Sequence, residues 1–182
     1  MSTAGTPGEG DAPAPGAPAG GAPRRRVGPV SRKLLLDLLD ARIPVELRAV
    51  ALAATHARED HLEEMRRLLA HAGRHLTDPD VLTPTNLGFH QQIAIASGNT
   101  VLREILTVLA DSFQEQQREI LDIFRYWQRD YTEHLGILAA LEARDADLAV
   151  ERMRAHLQGV REVLARWDPD AASPESSNSE EE

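Results

Sequence analysis

From Leu34 to Trp167 apolar residues return every three or four positions, and no Val/Ile/Thr-rich stretch alternates along the chain. Period 3.6 without period 2 restricts the folded part to helices that bury one stripe each. The composition agrees: hydrophobic residues make up 42% of the 182 residues but aromatics only 4%, so the core is aliphatic. The expected fold is all-α, a helical bundle. Breakers and caps divide the chain. Ser31 caps a first helix to about Ala57, in which Pro44 forces a kink or a new segment. A second helix runs from about Asp60 to His75. A third starts at Pro84 under a Thr83 cap and ends at Gly98. Asn99 caps a fourth, with Val101, Ile105, Val108, Leu109 and Phe113 as its core stripe. It is expected to bend or break in the polar run Gln114 to Arg118. The fifth spans about Arg129 to Ala143, and the sixth runs from the Asp145 turn to Trp167, before Asp168-Pro169.

The ends differ in kind. Residues 1–30 are expected to be a disordered leader, rich in Pro, Gly and Ala and ending in Arg24, Arg25 and Arg26. Its first 29 residues hold six of the eleven prolines and seven of the twelve glycines, too little apolar surface to bury. Residues 31–168 form the folded domain, and 169–182 an acidic disordered tail. Net charge is −9, which argues against broad nucleic-acid affinity. No apolar run suits a bilayer, so the chain is read as cytoplasmic. The absence of cysteine removes disulfides and thiolate metal sites.

Three helices carry a histidine where a hydrophobe belongs. Asn86, His90, Ile93 and Ser97 share one face. His134 lies with Tyr131, Leu138 and Leu141, and His156 with Ala149, Met153, Val160, Val163 and Trp167. Neutral imidazoles bind zinc and similar cations, and three protein donors leave a position open to a ligand. Asn86, one turn from His90, could add an oxygen. A single histidine on such a stripe is more often a hydrogen-bonded core residue, and spacing alone leaves both readings of the trio open. His71 and His75 are read as exposed residues at a helix C-terminus, where the dipole favours them. His56 and His61 flank a loop without a partner pattern. Glu133 precedes His134 but points about 100° away, so the two are no ready dyad.

The motifs together resemble a known domain. Asn-x-x-Phe-His at 86–90, Ala-Ser-Gly-Asn at 96–99, Glu-His-x-x-Ile-Leu-x-Ala-Leu at 133–141, Asp145 and Ala-x-x-x-Met-x-x-His-Leu at 149–157 are similar to the FCD domain. So are Ala41-Arg42-x-x-x-Glu46 and Ala49-x-x-Leu52-Ala53-Ala54 upstream. That domain is the C-terminal effector-sensing part of the FadR subfamily of GntR-type transcriptional regulators. The resemblance spans about Leu34 to Leu164. It implies an antiparallel bundle of about six to seven helices whose central pocket holds a divalent metal (zinc first, nickel or manganese otherwise) and a small carboxylate effector. His90, His134 and His156 match the family's histidine ligands. Asn86 stands where the family has Asp, so it is an auxiliary ligand without charge. Arg42 matches a family arginine and is a candidate effector contact, with an intrahelical pair to Glu46 as the alternative.

Residues 1–33 cannot form the family's winged-helix domain, so direct DNA binding is not expected. The expected partners are a second copy or a full-length regulator, meeting on exposed stripes of the first and fourth helices. Two other functions fit the same residues: a three-histidine metal hydrolase, and a metal-free interaction module.

Overall fold

A computed structural model describes residues 31–112 and 127–168. The expected leader, the polar run after Phe113 and the acidic tail lie outside the described residues. Within them the chain is helical throughout, with no strand. The helices are α1 (Arg32–His56), α2 (Glu59–Gly73), α3 (Pro79–Ala96), α4 (Thr100–Ser112), α5 (Trp127–Glu142) and α6 (Ala146–Arg166). None is long and apolar enough to cross a membrane.

The caps explain where the helices begin. Ser31 accepts from the Leu34 N–H at 3.2 Å, Asn99 from Leu102 at 3.1 Å and Asp145 from Leu148 at 2.9 Å. His61, buried, accepts from the Arg58 N–H at 3.3 Å, and the exposed His56 meets the Ser97 carbonyl at 3.1 Å. These two histidines therefore hold helix ends. α1 continues through Pro44 as one helix. α3 departs from the sequence reading: it starts at Pro79 under Asp78, not at Pro84 under Thr83. Pro79 occupies the first turn, where its missing N–H costs nothing. Pro84, five residues further on, forfeits a single bond. Thr83 Oγ1 is buried without a hydrogen-bond partner, as a residue that caps nothing.

α1 is the central strut, packing against α3, α4, α5 and α6. Its buried stripe is Leu35, Leu38, Leu39, Arg42, Glu46, Ala49, Val50 and Ala53. Two charged residues thus sit in the middle of an aliphatic face. Leu62, Met65, Leu69 and Ala72 of α2 turn inward as expected. Most of the core surrounds Phe89, Ile93, Ile137, Leu141 and Met153. Leu35, Leu38 and Leu39 close one end against Val160 and Leu164.

α4 is rotated from its expected phase. Leu106 is buried and Leu102 packs on the core, whereas Val101, Ile105 and Val108 are 66%, 41% and 59% exposed. Leu109 is half-buried at the second cluster, and Phe113 lies outside the described residues. Both stripes are apolar, so periodicity alone could not choose between them. No large apolar residue of α1 is comparably exposed.

Gly98, at φ 69°, links α3 to α4 in the left-handed region. Gly98→Ala should destabilise the fold by about 1–2 kcal/mol, read from chemical denaturation midpoints.

Candidate metal centre

α3, α5 and α6 each deliver one histidine to the same point. His90, His134 and His156 are 6%, 2% and 2% exposed. One nitrogen from each lies within 4.8 Å of those from the other two. Ring centroids are 5.1 Å apart for His90 and His134, 5.4 Å for His90 and His156, and 4.6 Å for His134 and His156. Phe89 packs on His134 at 4.7 Å and closes the apolar side.

Two carboxylates set which nitrogens are free. His90 Nδ1 lies 2.5 Å from Glu46 Oε2, and His156 Nδ1 lies 2.9 Å from Glu133 Oε2. An ionised carboxylate only accepts, so both rings carry their proton on Nδ1 and present an Nε2 lone pair. His134 Nε2 is 3.3 Å from His156 Nε2. With a lone pair on His156, His134 must be the donor, a tautomer assigned from the network.

The carboxylates are held in turn. Arg42 Nε and a terminal nitrogen approach Glu46 Oε1 at 2.8 and 2.6 Å, so the intrahelical pair forms. Arg129 donates to Glu133 Oε1 at 2.6 Å. Burial pushes the Glu46 carboxyl up, but Arg42 and His90 more than reverse this and hold it well below the usual range. Glu133 is likewise low: burial opposes ionisation, and hydrogen bonds from His156 and Arg129 overcome it. Burial pushes His134 down to about 3, against the pull of Asp130.

The sequence reading brought the three histidines together correctly but missed the acids around them. Spacing along α1 shows Glu46 only as a partner for Arg42, and spacing along α5 shows only that Glu133 cannot reach His134. It serves His156, on another helix. Asp130, four residues before His134 on the same face of α5, is the signal that spacing offers for a third acid. Asn86, half-buried, donates Nδ2 to Asp130 Oδ2 at 2.7 Å. His71 and His75 are half-buried rather than exposed, and His75 Nδ1 meets the His71 carbonyl at 2.9 Å.

The cavity beside the cluster is small. Leu82, Thr85, Asn86, Asp130, Tyr131 and His134 help enclose about 10 Å³, room for roughly one water.

Two outcomes follow. Glu46→Ala strips buried Arg42 and His90 of their shared anion and should cost about 3 kcal/mol or more, measured by urea denaturation. His134 is held at about 3 against an ordinary value of 6.5, so the unfolded chain takes up a proton there that the folded chain refuses. Its contribution is complete above about pH 6.5 and is lost as pH falls toward 3. In metal-free protein this amounts to about 2 kcal/mol between pH 7.5 and 5. His134→Gln should flatten that part of the pH–stability curve.

The FCD domain model matches residues 37–159. An L-lactate dehydrogenase operon regulatory protein of Escherichia coli is 30% identical over 140 residues, covering 75% of this chain and 54% of its own. The transcriptional regulator LutR of Bacillus subtilis is 30% identical over 150 residues, covering 76% and 68%. Among solved structures, the metal-free FCD domain of TM0439 superposes with a TM-score of 0.60 at 15% identity, covering 75% of this chain and 95% of that one. The chain thus spans about half the length of the lactate-operon regulator.

Proposed function

The chain belongs to the FCD-domain family, the effector-sensing domain of GntR-type regulators, and on that premise we propose that it binds a divalent cation and a small carboxylate. The observation that carries this is the convergence of three buried imidazoles, two of them tied at Nδ1 by carboxylates. Glu46 and Glu133 orient His90 and His156 so that both Nε2 lone pairs face inward. His134 joins them when its proton moves to Nδ1, which faces Asp130 Oδ2 at 3.8 Å. A donor set of neutral imidazoles suits zinc first, then nickel or manganese. When bound, such an ion supplies a positive charge to which a carboxylate can attach. Asn86 is assigned as an auxiliary contact.

Arg42 is assigned to the effector. An entering carboxylate would compete with Glu46 for its guanidinium, and through Glu46 would reach His90. The name of the lactate-operon relative agrees with a small organic acid. A cavity of about 10 Å³ cannot admit one as it stands, so binding must part the helices around it. That movement is the signal we assign to the domain: the effector favours a wider packing of α2, α3 and α5. A second chain, a copy or a longer regulator, would read it across the Val101, Ile105 and Val108 face of α4. In such a role the protein works in the cytoplasm.

The regulator relatives and the family do not favour the hydrolase reading. The metal-free module is separated from the sensor by elemental analysis. Protein purified without a histidine tag should carry about one metal per chain or take it up from zinc, nickel or manganese, with a rise in melting temperature. His90→Ala, His134→Ala and His156→Ala should each abolish that rise. Wild-type protein that takes up none of the three metals would sink the proposal.

A further inference from the structure

Two cavities adjoin α5. The inner one, of about 10 Å³, is bounded by His134 and Tyr131 of α5 and by Leu69, Ala72 and Leu82 of α2 and α3. The outer one is an open cleft of about 830 Å³, bounded by Leu76 and Thr77 of the α2–α3 link and by Gln128 and Thr132 of α5. Among the described residues Trp127 alone borders both. Trp127, Tyr131 and His134 recur at spacings of four and three, so they share one face of α5. Seven residues of helix put the two ends of that row about 10 Å apart.

The half-buried residues of the inner wall are held to different degrees. Asn86 is tied to Asp130 by a hydrogen bond of 2.7 Å. Tyr131 packs on the main core, and a Cβ added at Gly73 would come within 2.6 Å of its hydroxyl, so the ring is seated against α2 where only glycine leaves room. Trp127, the first residue of α5, belongs to neither core cluster. The cleft it borders has many times the room of the inner cavity. Of these walls, the indole can yield with the least loss of packing. We propose that Trp127 is the movable wall through which a short aliphatic carboxylate passes from the cleft to the inner cavity, and that its indole sets the length of acid the domain accepts. The carboxylate lies toward His134 and the tail toward Trp127, along the apolar surface of Leu69, Ala72 and Leu82. The parting of α2, α3 and α5 assigned above begins at this indole. This rests on the effector reading above.

Trp127 and Trp167 are the two tryptophans of the chain, so Trp167→Phe leaves Trp127 as the sole indole emitter. The full chain, supplied with zinc, is titrated with straight-chain carboxylates from acetate to octanoate, and binding is read separately as a rise in melting temperature. Each acid that binds should shift the Trp127 emission to the red and raise its quenching by acrylamide. In Trp127→Ala, affinity should go on rising by about fourfold for each added methylene at chain lengths where wild type has levelled off. Should that variant fail to fold, Trp127→Phe should move the limit in the same direction by a smaller step. Acids that bind without changing the Trp127 emission, or a length limit that neither variant moves, would overturn the inference and leave the effector reading standing. If no acid in the series raises the melting temperature of wild type, the effector reading fails and the movable wall fails with it.

Discussion

A carboxylate sealed from water has to be answered by positive charge or hydrogen bonds, and Glu46 is sealed at 2% exposure in the middle of α1. Its two oxygens face opposite duties. One is occupied by Arg42, which neutralises it, and the other fixes the proton of His90. The pairing lets a charged residue occupy the aliphatic stripe on which α1 meets the other helices. It also decides which nitrogen of His90 points into the cluster. Structural support of α1 and orientation of the His90 ring are therefore the same interaction.

Glu133 and Arg129 repeat the device for His156 from α5. Two of the three imidazoles are thus held by acids, each drawn from a different helix than the histidine it serves. Moving His90 would disturb the buried charge of Glu46. The cavity beside the cluster has room for only about one water.

The helix pattern was largely readable from spacing and caps. Ser31, Asn99 and Asp145 marked true starts because a cap is a local event, made within four residues. Pro84 misled because proline is equally at home in the first turn and shortly after it, and Pro79 had already claimed the earlier place. The facing of α4 was not readable at all. Leu102 and Leu106 compete with Val101, Ile105 and Val108 on equal hydrophobic terms, and only the neighbouring helices choose between them.

The amino-acid order by itself determined that the fold is all-α, and that His90, His134 and His156 sit on buried stripes. Both follow from periodicity, which is written along one helix at a time. Tertiary structure alone decided what each histidine meets. Glu133 serves a histidine 23 residues away rather than its neighbour, Glu46 reaches one 44 residues away, and Asp130 faces Asn86 across the same separation. Packing of one helix on another creates these partners, and no spacing within a helix encodes them.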